Sequence, residues 1–338
     1  MAEPTPQVPV QPGDSAALAR RGTQQRKRWR EKALVWMPLG VLVLLVGIVS
    51  TKNPSFLSLG SIQALTVEAA PLLFLALGQT LVIMIGGIDL SVATLASFAS
   101  VLLALWLPSL GLAAVLAVLA ITTTAGGIQG YVHAKTQVPS FVVTLSGMGI
   151  FASLGLIISG ASTIAVTAKL GWIGWMTGML GPIPTDPLVA LVVVSVIAAC
   201  LRWLPIGRYL LAIGNSELTA LLSGVRAARV RVFAFAVSGL SAGLAATLLV
   251  SELQSGAPSL LNALLLPTIA AVVVGGTAIT GGSGGLSRTV VGVLIISVLR
   301  VGIPVMGIDP SYEQVVYGAV IIASVSLTID RSKFAVLK

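Results

Sequence analysis

Long apolar runs alternate with short polar, glycine-rich or proline-containing connections over most of this chain. A helix needs roughly 17 to 25 apolar residues to cross about 30 Å of hydrocarbon. On that rule the pattern predicts ten spans, at about 34–50, 64–85, 91–107, 110–130, 138–160, 187–204, 230–250, 263–280, 289–306 and 313–328. The third and fourth are divided only by Leu107-Pro108-Ser109-Leu110, where Pro108 favours a turn. One interruption stands out. Gly86-Gly87-Ile88-Asp89-Leu90-Ser91 sets a carboxylate between two apolar runs, and backbone groups left without partners in lipid cost several kcal/mol each. The glycines permit a turn, and Asp89 and Ser91 can cap the helix that follows. The plain reading is a tight turn between spans; the sharper one is a discontinuous helix beside a solute path.

Composition agrees with this pattern. The chain has 338 residues, 56% hydrophobic and 9% charged, too little polar surface to coat a water-soluble particle. The fold class is therefore all-α, a polytopic membrane protein with about ten transmembrane helices. The net charge of +9 sits in short clusters between apolar runs, which speaks of orientation and anionic membrane lipid rather than nucleic acid. Starting inside, the N-terminal tail and the loops after even-numbered spans collect Lys135, Arg202, Arg208, Arg226, Arg229, Arg231, Arg288, Arg331, Lys333 and Lys338, while the other side holds only Lys52 and Lys169. Both termini are thus expected in the cytoplasm. Residues 1–33 read as a disordered basic tail with no secretory signal, 34–330 as the membrane domain, and 331–338 as a C-terminal tail.

The chemistry-bearing residues are few. Cys200 has no disulfide partner, and His133 has no second His or Cys for a metal. Glu68 and Arg300 lie a turn or two from span ends, where snorkelling and function weigh equally. No phosphate-binding Gly-x-x-x-x-Gly-Lys-Ser/Thr occurs, since glycine-rich 281–288 lacks the lysine. The chain is therefore expected to have no cofactor and no ATPase of its own. The external loop 161–186 carries Trp172 and Trp175; it reads as an interfacial segment anchored by indoles, or as a docking surface for an external partner.

The cytoplasmic loop 205–229 is the most informative soluble stretch. Asn215 or Ser216 can cap a short helix, Glu217 lies in its first turn, and Ser223-Gly224 ends it before Arg226. Leu218, Leu221 and Leu222 then share one face, to be buried on the chain's own membrane domain or in a groove of another protein.

Several words of this sequence resemble the permease subunits of ribose-type sugar ATP-binding-cassette importers, a family that extends to autoinducer-2 and branched-chain amino-acid permeases. They are Leu77-Gly78-Gln79-Thr80-Leu81-Val82-Ile83 running into Gly86-Gly87-Ile88-Asp89-Leu90-Ser91-Val92; Val138-Pro139-Ser140-Phe141; Ala212-Ile213-Gly214-Asn215 with Leu222-Ser223-Gly224; Ile269 to Thr277 with Gly281-Gly282-Ser283-Gly284; and Gln314-Val315-Val316-Tyr317-Gly318. The chain departs from the family pattern at Pro267-Thr268, where an acidic residue is common, and at Gly214-Asn215, which shortens the usual Gly-Gly-Asn. The resemblance implies a subunit of the bacterial inner membrane, paired with a second permease subunit in a homodimer or heterodimer. Two cytoplasmic ATPase domains would bind ATP and Mg, and a periplasmic or extracellular solute-binding protein would deliver a monosaccharide or related small polar solute. Asn215, Glu217, Leu218, Leu221, Ser223, Gly224 and Arg226 would form the coupling helix against the ATPase. Gly86, Gly87, Asp89 and Ser91 would mark the pathway or a helix break. The competing reading is an ion-coupled secondary transporter of a small polar solute.

Overall fold

A computed structural model describes residues 36–328. The tails read from the sequence at 1–33 and 331–338 lie outside the described residues, as do the positions of both termini. Helices α1 (Trp36–Lys52), α2 (Leu59–Met84), α3 (Val92–Leu110), α4 (Leu112–Thr136), α5 (Ser140–Ser159) and α6 (Thr185–Trp203) follow one another in the first half. They are followed by α7 (Pro205–Asn215), α8 (Glu217–Leu222), α9 (Ala227–Leu253), α10 (Leu265–Val274), α11 (Leu286–Val305) and α12 (Glu313–Thr328). Seven of the described helices, α2 to α6, α9 and α11, are long and apolar enough to cross a membrane.

The bundle is built around α2. From Ala69 to Met84 every residue of this helix is buried, as expected of a segment apolar on all sides. It packs on α9, α11, α6 and α10. The most extensive pairing is α4 with α9, and small residues explain it. A Cβ on Gly126 would strike the Phe235 carbonyl, one on Gly130 would fall 2.9 Å from Val232 Cα, and one on Gly239 would strike the Thr122 carbonyl. Bare glycine faces let two backbones close together, which is how helices gain packing where lipid offers no hydrophobic driving force. By contrast α5 and α6 are peripheral, and apolar side chains such as Leu145, Ile150, Val192 and Val196 point outward.

Two expectations are corrected here, and one that the sequence left open is narrowed. The turn between the third and fourth spans is not at Pro108, which α3 absorbs in its last turn; Gly111, at φ 58°, makes the turn and serves as N-cap of α4. Its bare Cα also lies against the Trp172 indole, where a Cβ would sit 2.7 Å from Nε1. The eighth run is helical only over Asn262–Val274, a 3-10 turn leading into α10, roughly 20 Å at about 1.5 Å per residue, so it enters the bundle without crossing 30 Å of hydrocarbon. The glycines at 275, 276, 281, 282, 284 and 285 unwind what the apolar pattern left as one span. Glu68 and Arg300 do not snorkel separately but pair at 2.7 Å, joining α2 to α11.

The loop between α5 and α6 is pinned to the bundle rather than trailing from it. Ile164–Ala165 pairs antiparallel with Ser255–Gly256, Met179–Leu180 forms a hairpin with Ile183–Pro184, and Thr177 Oγ1 meets Ser251 Oγ at 2.8 Å. Ile173 and Met176 are buried while Trp172 and Trp175 stand out from the surface.

Candidate functional site

The interruption after α2 is closed by its own backbone before any side chain acts. Gly86 N–H donates to the Ile83 carbonyl at 2.8 Å and Gly87 N–H to Val82 at 2.9 Å, and Gly86 holds φ 78°, a region that glycine enters without steric penalty. The chain then reaches Asp89, which is 2% exposed. Asp89 Oδ1 accepts from Ser91 N–H at 2.9 Å and from Ser91 Oγ at 2.7 Å, and Oδ2 accepts from Ser238 Oγ of α9 at 2.7 Å. A buried carboxylate is tolerated when its lone pairs are met in this way.

Ser91 is the N-cap residue of α3 but makes no side-chain cap bond. Its hydroxyl is committed to Asp89 and lies 3.0 Å from Gln129 Oε1 as placed. A hydroxyl carries one proton and the carboxylate is the stronger acceptor. Exchanging the Gln129 amide oxygen and nitrogen, a choice made from the hydrogen-bond network, lets Gln129 donate to Ser91 and gives its otherwise partnerless nitrogen a use. The flanking backbone is held from α5, where Ser140 Oγ accepts from Ile88 N–H at 2.9 Å and Thr144 Oγ1 from Leu90 N–H at 3.0 Å. Asp89 therefore ties α9 to the start of α3, with α4 and α5 contributing to the same knot. Sequence reading missed Gln129, Ser140, Thr144 and Ser238. Ser140 lay inside a quoted word, whereas nothing local marks Ser238.

The loop between α6 and α9 contains two helices where the sequence suggested one. α7 starts at Pro205, which presets helical φ at a position where no N–H is needed. Asn215 is its last residue and does not cap α8; Ser216 does, with its Oγ accepting from Thr219 N–H at 3.4 Å. Glu217 is engaged by Arg231 of α9 at 2.5 Å, Ser223 Oγ donates to the Thr219 carbonyl at 2.9 Å, and Gly224 leaves the helix at φ 81°. Arg226 is the N-cap residue of α9. The apolar face is the decisive feature. Leu218, Leu221 and Leu222 are 68%, 50% and 82% exposed, so the chain does not bury them on its own membrane domain.

These two regions meet at a junction of backbones. Gly282 N–H donates to the Met84 carbonyl at the end of α2 at 3.0 Å. Asn215 Nδ2 donates to the Gly282 carbonyl at 2.9 Å and to Leu211 at 3.0 Å. A Cβ on Gly214 would collide with the Met84 carbonyl and Gly282 N, and one on Gly281 would fall 2.6 Å from Gly86 N. The end of α7, the break after α2 and the unwound segment after α10 thus meet main chain to main chain, with the Asn215 side chain as the added link. We expect Gly214→Ala to abolish transport and lower Tm, because neither obstacle is a flexible side chain. Gly127→Ala, where the nearest atom is Ala236 Cβ at 3.7 Å, should be at least as stable as wild type given the helix propensity of Ala, about 1 kcal/mol better than Gly. Thermal melts and uptake of the two variants check this, and equal behaviour would refute a packing constraint at Gly214.

Among the described residues no group of three or more His, Cys, Asp or Glu could hold a metal ion. The arrangement offers a buried polar joint and an exposed apolar helix face, which suit motion and docking better than bond-breaking chemistry.

Comparison with known proteins gives a consistent result. Residues 61–325 match the model of the family described as branched-chain amino acid transport system / permease component. The chain is 36% identical over 301 residues to the ribose import permease protein of Bacillus subtilis (strain 168), covering 88% of this chain and 92% of that one. It is 30% identical over 314 residues to the ribose import permease protein of Escherichia coli (strain K12), covering 91% and 96%. The fructose import permease protein of Rhizobium meliloti is 30% identical over 303 residues, covering 86% and 84%.

Proposed function

Because this chain belongs to the branched-chain amino acid transport system permease family, we propose that it is the membrane subunit of an ATP-binding-cassette importer for a pentose, a hexose or a closely related small polar solute. The relatives named for ribose and fructose support the solute class. In this reading the chain is a multi-pass protein of the bacterial inner membrane, with the loop that carries α7 and α8 on the cytoplasmic side. It pairs with a second permease subunit and receives solute from a periplasmic or extracellular binding protein. Two ATPase domains bind ATP and Mg and supply the energy.

The observation that carries this reading is the exposed leucine face of α8. An amphipathic helix outside the bundle, with its apolar side unburied, fits a groove in a partner, and its base is fastened to the Met84 carbonyl through Gly282 and Asn215. A push on α8 is thereby delivered to the end of the central helix and to the break that Asp89 holds. Ser223, Gly224 and Arg226 shape the exit from α8, Glu217 anchors it to α9, and Gly86, Gly87, Asp89 and Ser91 form the joint near the pathway.

Reconstitution tests the reading. Proteoliposomes containing this chain should take up labelled ribose or fructose only when the ATPase, ATP and the binding protein are all supplied. Uptake by the chain alone on a sodium or proton gradient would overturn it in favour of an ion-coupled transporter.

A further inference from the structure

A second polar site lies apart from the Asp89 knot and from the leucine face of α8. A cavity of about 810 Å³ opens where the end of α6, the start of α7 and the start of α11 come together. Arg202 of α6 and Arg208 of α7 both line it, and neither guanidinium is in an ion pair among the described residues. Gly284 and Gly285 continue the lining into Leu286 and Ser287. Gly285 is the N-cap of α11 and has no side chain with which to cap it; its carbonyl takes the Arg288 N–H at 3.1 Å, which leaves the N–H groups of Leu286 and Ser287 as the donors at the helix start. Behind Gly284 sits the hydroxyl of Thr277, fully buried and without a hydrogen-bond partner; a Cβ on Gly284 would fall 2.5 Å from it.

The two guanidiniums and the start of α11 favour an anion. Guanidinium groups bind phosphate oxygens in a bidentate manner, and an uncapped helix start beside glycines is a favourable place for a phosphate. The glycine-rich stretch lacks a phosphate-binding lysine in sequence, but the fold brings two arginines to it. Most of the remaining cavity wall is apolar, including Ala198, Ala199 and Leu211, with Ser195 and Ser287 as its polar members. At its rim Trp203 is 80% exposed, as an indole at the level of lipid headgroups would be.

We propose that this cavity binds the phosphate of an anionic phospholipid, with the guanidiniums of Arg202 and Arg208 and the open end of α11 on the phosphodiester and the apolar wall against the glycerol and upper acyl chain. Two positive charges with no carboxylate in the lining favour a headgroup of net negative charge over a zwitterionic one, whose quaternary ammonium would be repelled.

Native mass spectrometry of the purified full chain, exchanged into mixed micelles with phosphatidylglycerol or phosphatidylcholine, tests this. Wild type should retain phosphatidylglycerol about tenfold better than phosphatidylcholine, and the Arg202→Gln/Arg208→Gln double variant should lose that preference. Arg229→Gln, an exposed arginine outside the cavity, should keep it. Both cavity arginines are exposed, so the double variant should match wild type in Tm without lipid. Equal phosphatidylglycerol retention by wild type and the double variant would overturn the proposal, as would equal retention of the two lipids by wild type. A second arm separates the sources of phosphate: stabilisation of delipidated wild type by millimolar inorganic phosphate but not by phosphatidylglycerol would assign the cavity to a soluble ligand and overturn the lipid assignment.

Discussion

Leu218→Glu/Leu221→Glu should abolish energised uptake while leaving the membrane bundle intact. Both side chains are more than half bare on average, at 68% and 50% exposure, so carboxylates there bury no charge in the isolated chain and should shift its Tm little; surface changes are usually within about 0.5 kcal/mol. In a partner groove the same carboxylates would be desolvated without a counter-charge, at a cost of several kcal/mol each. A loss of two such anchors corresponds to more than about a hundredfold in affinity. The expected result is normal expression, normal elution on size exclusion, no co-purification of the ATPase and no uptake. Co-purification at wild-type levels would show that α8 is not the docking element. The capping residue gives a finer control: Ser216→Ala removes the bond to Thr219 N–H, worth about 1 kcal/mol, and should weaken coupling without ending it.

The second large effect is expected at Asp89. Asp89→Ala leaves the buried Ser91 N–H without an acceptor, at about 1–3 kcal/mol, and frees Ser238 from its link to the start of α3. The Gln129 amide can turn its oxygen back to accept from Ser91 Oγ, so the hydroxyl is rescued and the backbone donor is not. We expect a lower Tm and a severe loss of uptake. Asp89→Asn separates geometry from charge. Its Oδ1 still accepts from Ser91, and its Nδ2 can donate to Ser238 Oγ, which reverses the direction of one bond and preserves the joint. If Asp89 serves to fix the break, the Asn variant should recover most of both Tm and uptake. Recovery of Tm with no recovery of uptake would show that the negative charge itself is needed for transport.

The two predictions concern one mechanical chain. α8 is carried on α7, the end of α7 touches the loop after α10 at Gly214 and Gly282, and that loop is bonded to the end of α2 immediately before the interruption. Main-chain contacts of this kind cannot yield by a rotamer change. Displacement at one element must then move the others or break hydrogen bonds, and a packed junction of this kind is suited to two discrete arrangements rather than continuous deformation.

Particular residues show how far the sequence reached. The helix boundary at Ser216 and Gly224 was legible because capping is local: a side chain meets an N–H three residues on, and a glycine takes a positive φ. The glycine-rich interruption at 86–91 was legible for the same reason. Pro108 was misread because proline in the last turn of a helix is tolerated when the next residues can stop it, and Gly111 performs the stop. The span at 263–280 was misread because its apolar content is high to Ile279, while the chain unwinds at Gly275 to place glycine backbone against Met84 and Asn215.

By itself the sequence determined that this chain forms a mostly helical membrane protein, because uncharged runs of this length can satisfy their backbone groups in lipid only as helices. It also marked some of the places where those helices start and stop, such as Ser216 and Gly224, since caps and glycines act over a few residues. Only the tertiary structure decided which residues share a site. Ser238 reaches Asp89 across 149 positions of chain, Arg202 and Arg208 converge on the start of α11, and the leucines of α8 are left uncovered. The physical reason is that a helix apolar on every side has no amphipathic stripe to say which neighbour it will meet; in this bundle the neighbours are chosen by glycine faces and paired polar groups, whose partners lie far away in sequence.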